Sequence, residues 1–150
     1  MLTRYEMFSA YVSHIHRSIQ KIERDEMIRF GYKGAFAQYL TAMARYPEGV
    51  TAAQLCDICD RDKAAVSRAI AEMEEKQLIH RDTTSDNAYR ARLMLTDTGR
   101  EAAAFVLQRG RDAVGAVGAD LSDADRTAFY AALEKIAANL DAISRDGLPR

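Results

Sequence analysis

The sequence predicts a mostly α fold that carries one small antiparallel β-hairpin past its middle. Three observations predict it. Ala occurs 26 times in 150 residues and Pro only twice, which favours helices because Ala loses least on entering one and Pro breaks one. Stretches at both ends of the chain place apolar residues at alternating spacings of three and four, the period of one helix face. Between about residues 78 and 95 the period changes to two, with turn-forming residues in between. The length suits a single domain able to bury a real core.

The first helix is expected over about residues 3–27. Tyr5, Phe8, Val12, Ile15, Ile19 and Ile22 make one apolar stripe, with Arg4, Arg17, Lys21, Glu23 and Arg24 mostly off it. A stripe this long and regular needs either a second chain or a helical layer to cover it. Gly31 and Gly34 punctuate the next stretch. Phe36, Leu40 and Met43, with Tyr32 and Tyr39 beside them, give a second helix ending near Tyr46. Pro47-Glu48-Gly49 is turn chemistry, and Val50 can begin a very short strand.

Thr51 followed by Gln54 is a capping box, so a helix starts there. Asp60-Arg61-Asp62 interrupts it, and Asp62 can cap a new helix over about residues 63–76 whose apolar face is Val66, Ala69, Ile70 and Met73. Two helices joined by so tight a turn are a helix-turn-helix candidate. Residues 78–82 then read as a strand, residues 83–87 as a turn, and Ala91, Leu93 and Leu95 alternate with Arg90, Arg92 and Met94 as a half-buried strand does. Thr96 can cap the next helix, expected to run to about Ala119, with Gly110, Gly115 and Gly118 favouring a bend or fraying in its second half. Ser122 caps the last helix, striped by Phe129, Leu133, Ile136, Leu140 and Ile143. The layout is a winged helix-turn-helix at residues 31–96, flanked by helices at 1–30 and 97–150 that are expected to dimerise.

Several function classes fall away. The longest apolar run, residues 102–107, is far too short to span a bilayer, and the first residues, MLTRYEMFSA, lack the apolar core of an export signal, so a cytoplasmic protein is expected. Two Cys cannot make a disulfide scaffold. No phosphate-binding glycine loop, nucleophile elbow or zinc-protease motif is present, and Asp123 and Asp125 read as helix-end partners, so neither an enzyme nor a cofactor is expected. His14 and His16 point to different sides of a helix, which is poor metal spacing. Cys56 and Cys59 form a C-x-x-C, but late in a short helix beside two Asp; small core residues are the plainer reading, and a thiol-responsive switch or thiol redox chemistry the alternative.

The stretch TAAQLCDICDRDKAAVSRAIAEMEEKQLIHRD, followed by YRARLMLTDTGREAA, resembles the MarR family of transcriptional regulators. Asp62-Lys63, Val66-Ser67-Arg68, Leu78-Ile79, Arg81, Leu95-Thr96 and Gly99 carry the resemblance, over roughly residues 50–102. It departs at two places where the family often has Gly, held here by Asp60 and Gln77, and residues 86–90 do not register cleanly with the family's Asp-x-Arg wing tip. Asp tolerates the left-handed conformation better than most residues. The resemblance implies a dimeric protein that binds double-stranded DNA at a near-palindromic operator, often as a repressor, and often releases it when a small aromatic or phenolic ligand binds. Such a ligand points to His14, Tyr32, Phe36 and Tyr39 as candidate pocket residues, although aromatic residues at helical spacing also serve as core.

On the helix that starts after Asp62, about 100° per residue places Ala64, Ser67, Arg68 and Ala71 opposite the apolar face. Small residues there let the backbone approach a major groove; Ser67 and Arg68 can bond bases or phosphates, and Lys63 and Ala65 sit at the phosphate-attracting first turn. Alternatively, Arg68 pairs with Glu72. The hairpin offers Arg81, Arg90 and Arg92 for backbone or minor-groove contact, or as solubilising edge charges. The net charge of −1 does not exclude DNA, because Arg61, Lys63 and Arg68 against Asp62 give a local +2. A winged-helix module that binds protein and not DNA is the other class the residues allow.

Overall fold

The computed structural model describes residues 1–82 and 91–150. The described residues form α1 (Arg4–Phe30), α2 (Phe36–Met43), α3 (Ala52–Cys59), α4 (Lys63–Glu75), β1 (Ile79–Arg81), β2 (Leu93–Leu95), α5 (Asp97–Val117) and α6 (Asp123–Asp146). They divide into two compact units, Met1–Asp112 and Ala113–Arg150. The mostly helical fold with a small two-stranded wing is the one expected from the sequence.

In the first unit the helix ends follow local chemistry. Thr3 and Glu6 close a capping box on α1, and Thr51 and Gln54 close the expected one on α3. α1 outruns its expected end by three residues and stops at Gly31, whose φ of 113° suits only a residue without a Cβ. Asp62 caps α4, its carboxylate accepting from the Ala65 N–H at 2.8 Å. Asp60 closes α3 in the left-handed region (φ 49°), as its tolerance for that conformation suggested, and Gln77 ends the α4 turn at φ 57°.

The core gathers around α2. Every residue of that helix except Gln38 is buried. Met27, Leu40, Leu55, Met73, Leu78, Leu93 and Val106 are fully buried with it, so α1, α3, α4, the hairpin and the start of α5 share one apolar centre. The buried Thr41 hydroxyl donates to the Ala37 carbonyl at 2.7 Å, which satisfies that group inside the core. β1 and β2 pair antiparallel with Ile79 opposite Leu95 and Arg81 opposite Leu93, and Val50 bridges Leu93 as a one-residue third strand. Thr96 joins these parts: its hydroxyl donates to the Gln77 carbonyl at 2.7 Å and accepts the Gly99 N–H at 3.0 Å.

The apolar stripe of α1 is uncovered, with Tyr5, Phe8, Val12, Ile15 and Ile19 all exposed. In the second unit, Ser122 caps α6 by accepting the Asp125 N–H at 3.1 Å. No residue of α6 is buried, and Phe129, Tyr130, Leu133, Ile136 and Leu140 are exposed along it. Among the described residues, no helix is long and apolar enough to cross a membrane.

Candidate nucleic-acid interface

The amphipathicity of α4 decides what it can present. Val66, Ile70 and Met73 are buried, which leaves Lys63, Ala64, Ser67, Arg68 and Ala71 exposed and Ala65 half-buried at the first turn. The Asp62 cap uses one of the free N–H groups at the helix start. The exposed face therefore has little bulk beyond Arg68 and Lys63, as close approach to a groove requires.

The pairing of Arg68 with Glu72 does not occur. Glu72 is engaged by Lys33 of the α1–α2 turn at 2.5 Å, and among the described residues no carboxylate pairs with Arg68. The guanidinium is thus available to an outside acceptor.

The wing residues divide three ways. Arg81 is exposed but its Nη2 and Nε both reach Glu74 Oε1, at 3.0 and 3.1 Å, which ties the base of the wing to the far end of α4. Arg92 is exposed between buried Ala91 and Leu93, and donates to the Gly49 carbonyl at 3.1 Å. Arg90 lies outside the described residues, as does the turn expected at residues 83–87. Lys63, Ser67 and Arg81 line one open hollow of about 420 Å³ between α3, α4 and β1.

Arg61 was legible only as a charge in the sequence. In the structure it sits in the turn between α3 and α4 and donates from Nε to Gln38 Oε1 at 3.3 Å. Its adjacency to the capping Asp62 was the available signal. Cys59 reaches the same α2 residue, donating to the Gln38 carbonyl at 3.6 Å. Both cysteines are free, half-buried and packed against the core. Burial pushes the Cys59 thiol above its ordinary range, against the opposing pull of Arg61 and Arg45.

The four residues read as a candidate effector pocket sit in different surroundings. Phe36 and Tyr39 are buried in the core around α2, Tyr32 packs at its edge against Phe30, and His14 is exposed on α1. The hollow beside α4 and a smaller cavity of about 80 Å³ between α1, α2 and Arg61 are lined by other residues.

Residues 30–88 match the model of the MarR family. No curated protein matches the chain. Among solved structures, MarR is 20% identical with a TM-score of 0.80, over 97% of this chain and 99% of that one. A MarR transcriptional regulator from Methanosarcina mazei is 19% identical with a TM-score of 0.78, over 92% and 99%. A structure described as a MarR family regulator from Listeria monocytogenes, complexed with 26mer DNA, is 20% identical with a TM-score of 0.73, over 94% and 95%. At these identities the structures speak for the fold alone: residues 30–88 match the MarR family model, within a chain that has the fold of MarR-family regulators.

Proposed function

We propose that the protein is a homodimeric, sequence-specific DNA-binding transcriptional regulator, working as a repressor in the cytoplasm. The observation that carries this reading is the exposed face of α4: an Arg68 with no carboxylate partner among the described residues, beside Ser67 and small alanines, on a helix whose start carries Lys63 and whose flank is the wing. The related fold from Listeria monocytogenes complexed with DNA supports it by analogy. Lys63, Ala64, Ala65, Ser67 and Arg68 meet the major groove in this reading, and Arg81, Arg90 and Arg92 meet the backbone or the minor groove.

The uncovered stripes of α1 and α6 support dimerisation, because apolar rows of this length are seldom left to water. A two-fold dimer brings two α4 helices to successive major grooves of a near-palindromic site. A small aromatic or phenolic ligand would relieve repression by preferring one spacing of the two heads over the other.

The test is binding to DNA from upstream of the coding sequence across a salt series. Affinity should fall steeply, with a slope near −0.9 per phosphate contacted. Negligible binding in low salt would sink the reading and favour a winged-helix module that binds protein.

A further inference from the structure

We propose that Arg61, in the turn between α3 and α4, is a further DNA-contacting residue that grips a backbone phosphate, and that Gln38 of α2 is the positioning residue that aims it. Both roles rest on the DNA-binding reading, to which they add residues outside the exposed face of α4.

Local backbone chemistry fixes where Arg61 stands. Asp60 closes α3 in the left-handed region, and the Arg61 N–H then bonds back to the Cys56 carbonyl at 3.0 Å. The next residue, Asp62, caps α4. Arg61 is thus held one residue outside that cap, with Lys63 one residue inside it. A residue outside the helix that would enter the major groove is placed for the phosphate edge of the groove and not for its bases.

The side chain is held as well. Its Nε donates to Gln38 Oε1 at 3.3 Å, and the Gln38 carbonyl accepts the Cys59 thiol at 3.6 Å. Gln38 is the one residue of α2 that is not buried, so the brace stands on a helix anchored in the core. The bond uses Nε and leaves the two Nη groups of an exposed guanidinium. Among the described residues no carboxylate pairs with Arg61. The Asp62 carboxylate accepts the Ala65 N–H at 2.8 Å, and Glu23, which lines the same small cavity as Arg61 and Gln38, makes no ion pair with it. A neutral amide orients the fork without cancelling its charge. Arg81 shows the contrast, because its Nε and Nη2 both meet the Glu74 carboxylate. An oriented, uncancelled fork with both Nη groups outward matches two phosphate oxygens.

The experiment measures binding of the full-length protein and its variants to DNA from upstream of the coding sequence and to an unrelated duplex, across a salt series. Arg61→Ala should weaken both about equally, on the order of ten-fold, and make the slope of log affinity against log salt shallower by about 0.9. Arg61→Lys should keep the native slope and lose affinity, since the charge stays and the fork goes. Gln38→Ala should lose affinity in the native background and nothing further in Arg61→Ala, as a residue acting through another does. Native affinity and slope in Arg61→Ala, with a lowered urea midpoint, would overturn the phosphate contact and leave Arg61 a brace only. Additive losses in the double variant would overturn the role of Gln38. If Arg68→Ala weakens binding and Arg61→Ala does not, the DNA-binding reading stands and the Arg61 contact falls. If the native protein binds neither duplex at low salt, the reading itself has failed and Arg61 falls with it.

Discussion

A methyl group on Gly99 would collide with the carbonyl oxygen of Leu78. The collision is with backbone, which cannot rotate away, and the same Leu78 carbonyl accepts the Thr96 N–H at 3.0 Å. The start of α5 is thus held against the strand entry by a residue with no side chain. Gly99→Ala should destabilise the protein by about 1–3 kcal/mol or more, the range for overpacking a tight site. Urea unfolding measures it, and an unchanged midpoint would show that the junction has room.

Gln77 supports a change of the opposite sign. It sits at φ 57°, where a Cβ is strained, and its side chain is exposed. Gln77→Gly removes that strain but loosens the unfolded chain, so a net gain of about 0.5–1 kcal/mol is expected in the same unfolding measurement. A lower midpoint would mean that the Gln77 side chain makes a contribution larger than its strain.

Arg68→Ala should weaken binding to the target DNA by about 1–3 kcal/mol and narrow the gap between target and unrelated DNA. Lys63→Ala should weaken both about equally, since a first-turn lysine meets phosphate. Competition binding with the two DNAs separates these outcomes. If Arg68→Ala changes neither affinity nor preference, the exposed face of α4 is not the reading face.

Glu23 carries a pH signature. Its carboxyl is half-buried and raised above the ordinary 4.5, chiefly by burial, with Arg45 and His16 pulling the other way. A raised folded-state pKa makes the contribution of Glu23 fully present below its ordinary value and lost as pH rises through the raised one. Glu23→Gln should therefore raise stability at neutral pH, with the gain shrinking as the pH is brought below the ordinary 4.5. Unfolding midpoints on both sides of that range check it; a loss at neutral pH would show that the attraction of Arg45 outweighs burial.

Cys59 should react slowly. Its thiol is half-buried, bonded to the Gln38 carbonyl and held above the ordinary range by burial, so little thiolate exists at neutral pH. Alkylation in the folded protein should run at least about ten-fold slower than in denaturant. Equal rates would reopen the thiol-switch reading.

The sequence by itself determined the element order and most helix starts. Thr51 with Gln54, Asp62 and Ser122 cap where their spacing placed them, and Thr96 supports the start of α5, because a cap acts within one turn and its partners lie three residues away. The hairpin and the exposed face of α4 were legible for the same reason, since periods of two and 3.6 residues are local properties. Only the tertiary structure decided which charges are engaged. Lys33 takes Glu72 from 39 residues away, Arg92 reaches Gly49, and Arg109 reaches Glu26 across 83 residues. No spacing rule encodes such pairs, because long side chains choose partners by distance in the folded molecule. The same limit governs Phe36 and Tyr39: their helical spacing is equally that of a pocket wall and of a core, and only the folded molecule shows how deeply they are buried around α2.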